Sequence, residues 1–333
     1  MSVVLTAAPA IPGLRFRPYA GPQDHPEMHR VHQAVAAANG IEEVISLEQF
    51  DLSYANHVNC DHDRDIVLAE VDGNLVAYSR VFWSELLEGG RSYENFGFVH
   101  PEWRRRGIGT AMHRHNEARL REIAGGHAGV GPKWLSSEAV DGDPGAAALL
   151  RADGYEPVRW FFEMVAPSLE DVPSVGVPDG VEVRPVTREQ YRRIWDAMDE
   201  AFRDHWGATP GTEEEWRTFE GDPDNADPRY WRVAWDGDEV AGVVVTVPQT
   251  EANARHQRRR VYVASVSVRR PWRRRGLARA LLAGSLIGAR EDGFTSASLG
   301  VDAENPTGAL ALYESLGFER HRSEAAYRKP LEG

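Results

Sequence analysis

Two short arginine-rich stretches carry the most readable chemistry. Arg273-Arg274-Arg275-Gly276-Leu277-Ala278 follows a β-branched, mostly alternating run at residues 261–268, which predicts a strand. It precedes residues 277–290, where Leu277, Leu281 and Ser285 fall on one helical line and Leu282, Leu286 and Ala289 lie beside it. A strand that turns through a glycine into a helix leaves several backbone N–H groups with no intrahelical partner. They point the same way, with the positive end of the helix dipole behind them, and such a loop suits phosphate oxygens. An arginine triplet alone reads as a solvated surface run. The strand–glycine–helix context favours the phosphate reading.

The same device occurs earlier. Trp103 precedes Arg104-Arg105-Arg106-Gly107 as Trp272 precedes Arg273-Arg274-Arg275-Gly276, at an offset of 276 − 107 = 169 in a chain of 333 residues. Two copies about half a chain apart indicate an internal duplication.

The elements that must position these loops repeat in the same order. Residues 14–17 open a strand, 27–39 form a helix ending at Gly40, and 47–55 form a second. A strand, an Asp72-Gly73 turn and a strand follow, then a strand at 93–99 into the first arginine loop. After its helix (108–123) come a strand (134–139), a helix (146–152), a Gly154-Tyr155 turn and a closing strand (159–165). Residues 166–180, rich in proline and glycine without periodicity, read as a linker, and residues 1–13 as a loose leader. The second half repeats the plan: strand 181–185, helices 188–203 and 212–219, strand–Asp236-Gly237–strand, the key strand and helix, strand 296–301, helix 305–316, Gly317-Phe318 and a strand near 324–328. The expected fold class is α+β, with domains at 14–166 and 181–330 and a linker at 167–180.

Composition narrows the function. A hydrophobic content of 42% is that of an ordinary soluble protein, and no apolar run approaches the roughly 20 residues that span a bilayer. The N-terminus lacks a basic segment, so no secretory signal is expected. One cysteine, Cys60, excludes an internal disulfide and suits a reducing, cytoplasmic compartment. A net charge of −13 makes the arginine triplets local features of an acidic body, which argues against nucleic acid as a partner. Arginine supplies nearly all the positive charge, lysine occurring only at Lys133 and Lys329, which hints at a GC-rich bacterial genome. His57, Cys60 and His62 fall close together, but the second half of a zinc-type ligand set is missing, so they read as a polar loop and no metal is expected.

Arg273-x-x-Gly276-x-Ala278 and Arg104-x-x-Gly107-x-Gly109 resemble the Q/R-x-x-G-x-G/A signature of the GNAT N-acetyltransferases. Residues 301–318, with Asn305 and then a helix ending in Tyr313-x-x-x-Gly317-Phe318, are similar to that family's second acyl-CoA segment. The resemblance covers almost all of both halves and matches tandem GNAT proteins. It implies two GNAT-like domains, each a mixed, mostly antiparallel sheet flanked by helices, with acetyl-CoA as cofactor and an amine as acceptor. The loop physics agrees: amides from about Arg273 to Ala278, Arg274, Arg275 and Leu277 among them, can cradle a pyrophosphate, and small residues at 276 and 278 allow close approach. By family position Val266 and Val268 offer backbone groups to the pantetheine arm, and Val99, Arg104, Gly107 and Gly109 are the first-half counterparts.

The resemblance separates the halves. Its tyrosine, which protonates the departing thiolate, matches Tyr313, whereas the first half has Leu150 there; a thiol pKa of about 8.5 makes the donor helpful rather than obligatory. Tyr313 also reads as a core aromatic. Asn305 reads equally as a cofactor neighbour and as a helix N-cap before Pro306. The second half is therefore expected to catalyse and the first to be degenerate. An amine must lose a proton before attack, and the developing oxyanion needs an N–H, which Val268 can supply. The base is not legible: Asp302, Glu304 and the Asp204-His205 pair are candidates, and Glu94, on the corresponding first-half strand, reads slightly better as an outward-facing residue. His205 and Trp206 are candidate walls of the acceptor pocket, with packing an equally good account. The expected activity is direct acetyl transfer, in a ternary complex, to the primary amine of a small molecule by a monomer or homodimer. A non-catalytic acyl-CoA-binding or sensing protein and a protein-directed acetyltransferase are the alternatives.

Overall fold

The structure, a computed structural model, describes residues 3–129, 131–305 and 307–331. In chain order the first half holds β1 (Leu14–Pro18), α1 (His25–Ala38), α2 (Leu47–Ala55), α3 (His62–Asp65), β2 (Ile66–Val71), β3 (Asn74–Glu85), β4 (Arg91–Val99), α4 (Ile108–Gly125), β5 (Lys133–Val140), α5 (Pro144–Ala152) and β6 (Glu156–Ala166). The second holds β7 (Glu182–Arg184), α6 (Tyr191–Phe202), α7 (Glu213–Gly221), β8 (Arg232–Asp236), β9 (Glu239–Val247), α8 (Thr250–His256), β10 (Arg260–Val268), α9 (Leu277–Glu291), β11 (Ser296–Asp302), α10 (Ala309–Glu314) and β12 (Glu319–Pro330). The duplicated plan is present, with α3 and α8 as additions too short to leave a periodic signal.

The chain divides into two units, residues 1–159 with 324–333, and residues 160–323. This moves the expected boundary. Strand β6 does not close the first sheet; it pairs antiparallel with β11, from Ala297↔Ala166 to Asp302↔Phe161, and its Met164 and Ala166 are buried in the second core. Strand β12 pairs antiparallel with β5 of the first unit, and its Ala325 and Tyr327 enter that core. The first sheet runs β1-β2-β3-β4-β5-β12 and the second β7-β8-β9-β10-β11-β6. In each, one parallel pair, β4/β5 or β10/β11, is bridged by a helix and the other pairs are antiparallel.

The segments read as loose are packed. Val3 bridges Phe16, and Leu5 is buried against β1, β2 and α4. Within the linker, Leu169 and Val172 are buried in the second core, with Leu169 N–H donating to Thr295 O. Both stretches carry isolated apolar side chains without a period, and burial supplies what periodicity does not show.

The helices behind the two loops differ. On α9 the predicted face, Leu277, Leu281, Leu282, Ser285, Leu286 and Ala289, is buried, each leucine contributing about 1.5–3 kcal/mol. At the same offset α4 carries His113, Asn116 and Glu117 where α9 has Leu282, Ser285 and Leu286. These buried polar groups form a network: Asn116 bonds Ser79 and Asn95, His113 bonds Asp153 at 3.0 Å, and the Lys329 ammonium lies 2.9 Å from Glu117.

Candidate active site

In the second unit β10 leads through residues 269–275 into α9. Arg274 (φ 60°) and Gly276 (φ 80°) are left-handed, which reverses the chain within a few residues. No side chain caps α9, and its first amide bonded to the turn is Ala280 N–H, to Gly276 O at 3.1 Å. The Leu277, Ala278 and Arg279 amides thus precede the helical ladder. A Cβ on Gly276 would meet nothing within 4 Å, so this face is open.

Arg273 has a different role from the one expected. Its amide bonds Arg270 O, and its guanidinium donates to Val268 O (2.8 Å), Asp204 (2.6 Å) and Ala201 O (3.0 Å). It braces the end of β10 to the end of α6, each of its three nitrogens donating within the protein. Arg104 does likewise, donating to Val99 O and Asn39 and lying 3.4 Å from Asp143. Arg274 and Arg275 are exposed, Arg275 donating to Asp179 O.

Beside the loop the sheet opens. Pairing of β10 with β11 covers Arg260 to Val263 and stops, and a bulge interrupts the β9 side between Val263 and Ser265. Arg269 N–H bonds Ala241 O on β9, so by strand alternation Val266 and Val268 turn their backbone groups to the open side. Val268 O is taken by Arg273, which leaves its N–H as the group of interest there.

Tyr313, on α10, is buried, with its ring edge-on to Phe318 at 6.0 Å. Burial, then the Tyr262 hydroxyl, pushes its pKa up to about 12, so the phenol keeps its proton at neutral pH. Helix α10 starts at Ala309 after left-handed Gly308, so Asn305 is not its N-cap; Asn305 Oδ1 instead accepts from Thr307 N–H at 2.8 Å. Pro306 lies outside the described residues.

Among the base candidates, Asp204 is removed by geometry: hydrogen bonds from Arg270 and Arg273 hold its carboxyl well below the usual range. His205 is half-buried. Burial lowers its pKa below 6.5, opposed by the Asp302 carboxylate and assisted by Arg273. It thus lies within electrostatic reach of Arg273, which braces the end of β10, and of Asp302, the last residue of β11. Its ring packs on Phe202 at 4.5 Å, and Trp206 lies 6.2 Å from Phe161.

The first unit repeats the loop, with Arg105 (φ 62°) and Gly107 (φ 86°) left-handed. Here a Cβ on Gly107 would come within 3.3 Å of Pro9 in the packed N-terminal segment. At Gly109 it would make only an ordinary 3.5 Å contact with Val99, consistent with alanine at 278. Pairing of β4 with β5 again stops early, at Glu94↔Ser136, but the gap is crossed: Ser137 Oγ donates to Asn95 O at 2.8 Å. Lys133 pairs at Arg91 as Ser296 pairs at Arg260, an offset of 296 − 133 = 163, so Gly300 stands where Ser137 does. Leu150 and Tyr313 share the same helix end, each carbonyl accepting from the residue after the glycine, Tyr155 at 3.0 Å and Phe318 at 3.1 Å.

Two first-unit groups depart from their expected settings. Glu94 is half-buried, not outward-facing: burial raises its pKa, against a hydrogen bond from Ser92 and the charge of Arg328. His57, Cys60 and His62 come within 4.8 Å of one another, with His57 Nδ1 3.2 Å from His62 Nε2. Burial pushes His57 down to about 2 and Cys60 up to about 12, and the Arg80 guanidinium acts on both, which opposes a cation there. A second group, His113, Glu117 and Asp153, already holds the Lys329 ammonium.

Comparison with known proteins agrees with this geometry. Residues 32–150 and 191–318 match the Acetyltransferase (GNAT) family. A mycothiol acetyltransferase of Geodermatophilus obscurus is 29% identical over 301 residues, covering 89% of this chain and 91% of that one. One of Thermomonospora curvata is 33% identical over 235 residues, covering 70% and 72%. A crystal structure of a GCN5-related N-acetyltransferase from Sphaerobacter thermophilus superposes with a TM-score of 0.69 at 26% identity, covering 96% of both chains. A tandem GNAT protein from the clavulanic acid biosynthesis pathway shares the fold, with a TM-score of 0.61 at 18% identity and coverage of 96% and 99%. Among the described residues no helix is long and apolar enough to cross a membrane.

Proposed function

The chain belongs to the GNAT family and is an N-acetyltransferase, and from that premise we propose that its second unit transfers acetyl from acetyl-CoA to the primary amine of a small molecule. The observation that carries this assignment is the gap beyond Val263, open at Gly300 and next to the uncovered Gly276 loop. The Leu277 and Ala278 amides, with Gly276 giving access and Arg274 and Arg275 adding screened charge, hold the pyrophosphate. The Val266 backbone and Val268 N–H face the pantetheine arm and thioester, and Val268 N–H stabilises the oxyanion. His205, kept neutral by burial and within electrostatic reach of Asp302, takes the amine proton, directly or through water. The free amine attacks the thioester carbon, the tetrahedral intermediate expels the thiolate, and Tyr313 gives that sulfur its proton. Trp206 and Phe161 wall the acceptor side. The relatives' names make a mycothiol-type amine the first acceptor to assay.

The test is release of free coenzyme A thiol from acetyl-CoA across an amine panel. Turnover with one amine that is lost in Tyr313→Phe while acetyl-CoA still binds supports the reading. Binding of acetyl-CoA without turnover of any amine would return the chain to an acyl-CoA sensor.

A further inference from the structure

Among its described residues the first unit contains a cation without a counter-ion. Arg80 is a β3 residue whose Cα partners are Ile66 on β2 and Phe96 on β4. Tyr78 and Phe82 share its face, and Tyr54 of α2 covers it. The guanidinium carbon sits 4.5 Å from the Phe96 ring centroid, 5.3 Å from Phe82 and 5.4 Å from Tyr54. Its Nε is sealed from solvent with no hydrogen-bond partner.

Among the described residues no carboxylate pairs with Arg80. The titratable groups around it include the Tyr54 and Tyr78 hydroxyls and the Cys60 thiol, each kept protonated and uncharged by burial, so none of these neutralises it. Glu94 lies on the same face, one register step away, but it is bonded to Ser92 and acted on by Arg328. A partly desolvated, unpaired guanidinium is costly, and rings recover only part of that cost. Phe82, Phe96 and Arg80 itself are only half-buried, so the charge can be reached.

We propose that Arg80 is the anchor of a binding site, separate from the transferase centre, for a small organic monocarboxylate with a flat apolar body. One monoanion neutralises one guanidinium. The planar fork matches a carboxylate, and the ring faces of Phe82, Phe96 and Tyr54 match an aromatic or planar body. The site binds without acetylating, since Leu150 replaces the proton donor and Ser137 and Pro9 occupy the cofactor approach of this unit.

The experiment is thermal unfolding and calorimetry of the full chain with benzoate, its neutral isostere benzamide, and inorganic phosphate. Saturating benzoate is expected to raise the melting temperature by about 3–5 °C, with benzamide inert. Arg80→Met, which keeps the volume and removes the charge, should melt no lower than the parent and lose the benzoate shift, with acetyl transfer unchanged. Equal effects of benzoate and benzamide, no shift with either, or a shift with phosphate alone overturns the proposal. So does an Arg80→Met protein that melts several degrees lower while the parent ignores benzoate, because the cation is then structural.

Discussion

The two units share a loop down to its backbone angles and differ in what surrounds it. In the second, the glycine face is clear, the strands part over a residue without a side chain, and a protonated tyrosine stands at the end of the last helix. In the first, Pro9 lies against the glycine, Ser137 ties the parted strands, leucine replaces tyrosine, and the helix behind the loop buries a charged network. Yet the first unit alone carries a carboxyl, Glu94, on the strand beside the gap, where the second has Val263. A phosphate-type loop is readily retained because it also closes a strand–helix junction; what differs between the units is the space in front of it.

The comparison breaks most sharply at the proton donor. Tyr313→Phe should lower kcat about 100-fold with KM for acetyl-CoA nearly unchanged, whereas Leu150→Tyr should change neither. Stopped-assay kinetics on both variants check this, and equal rates would remove the asymmetry. His205→Gln should cost roughly 10- to 100-fold. Because burial lowers the His205 pKa, its basic form persists below pH 6.5, so the acidic limb of kcat/KM should lie below that value and vanish in the variant.

The loop itself gives a smaller effect. Gly276→Ala has room for its Cβ but must hold φ 80°, a strain of roughly 1–2 kcal/mol. It should weaken acetyl-CoA about tenfold by calorimetry, while Gly107→Ala, crowded by Pro9, should lower stability without altering turnover. A last effect, outside catalysis, is on pH stability. His57 falls from 6.5 to about 2 on folding, so below pH 6.5 the unfolded chain binds the proton that the folded first unit refuses. The first unit's stability should be full above pH 6.5 and decline as pH falls toward about 2, and His57→Gln should flatten that decline. Unit-resolved hydrogen exchange against pH reads it.

Much of this was legible from residue order. Duplication, the α+β plan, both loops and the Tyr313–Leu150 difference follow from local spacing, because a glycine turn, an amphipathic helix and a helix-ending motif are set by neighbours in sequence. The bracing contacts of Arg273 were not legible because a triplet before a glycine does not reveal its partners; Asp204 and Ala201 are about 70 residues away in the chain. Asn305 met the pattern of an N-cap, but the helix begins after Gly308.

By itself the sequence determined the repeat, the class of each element and the loops able to face a diphosphate. All of these depend on periodicity and turn chemistry over a few residues. Only the tertiary structure decided which sheet β6 and β12 join, which gap stays open, that the Asp302 carboxylate acts on His205, and that Arg80 meets rings and, among the described residues, no carboxylate. An alternating strand suits either sheet, and a charge shows its partner only when distant segments pack, so those outcomes rest on burial and long-range pairing that no local pattern encodes.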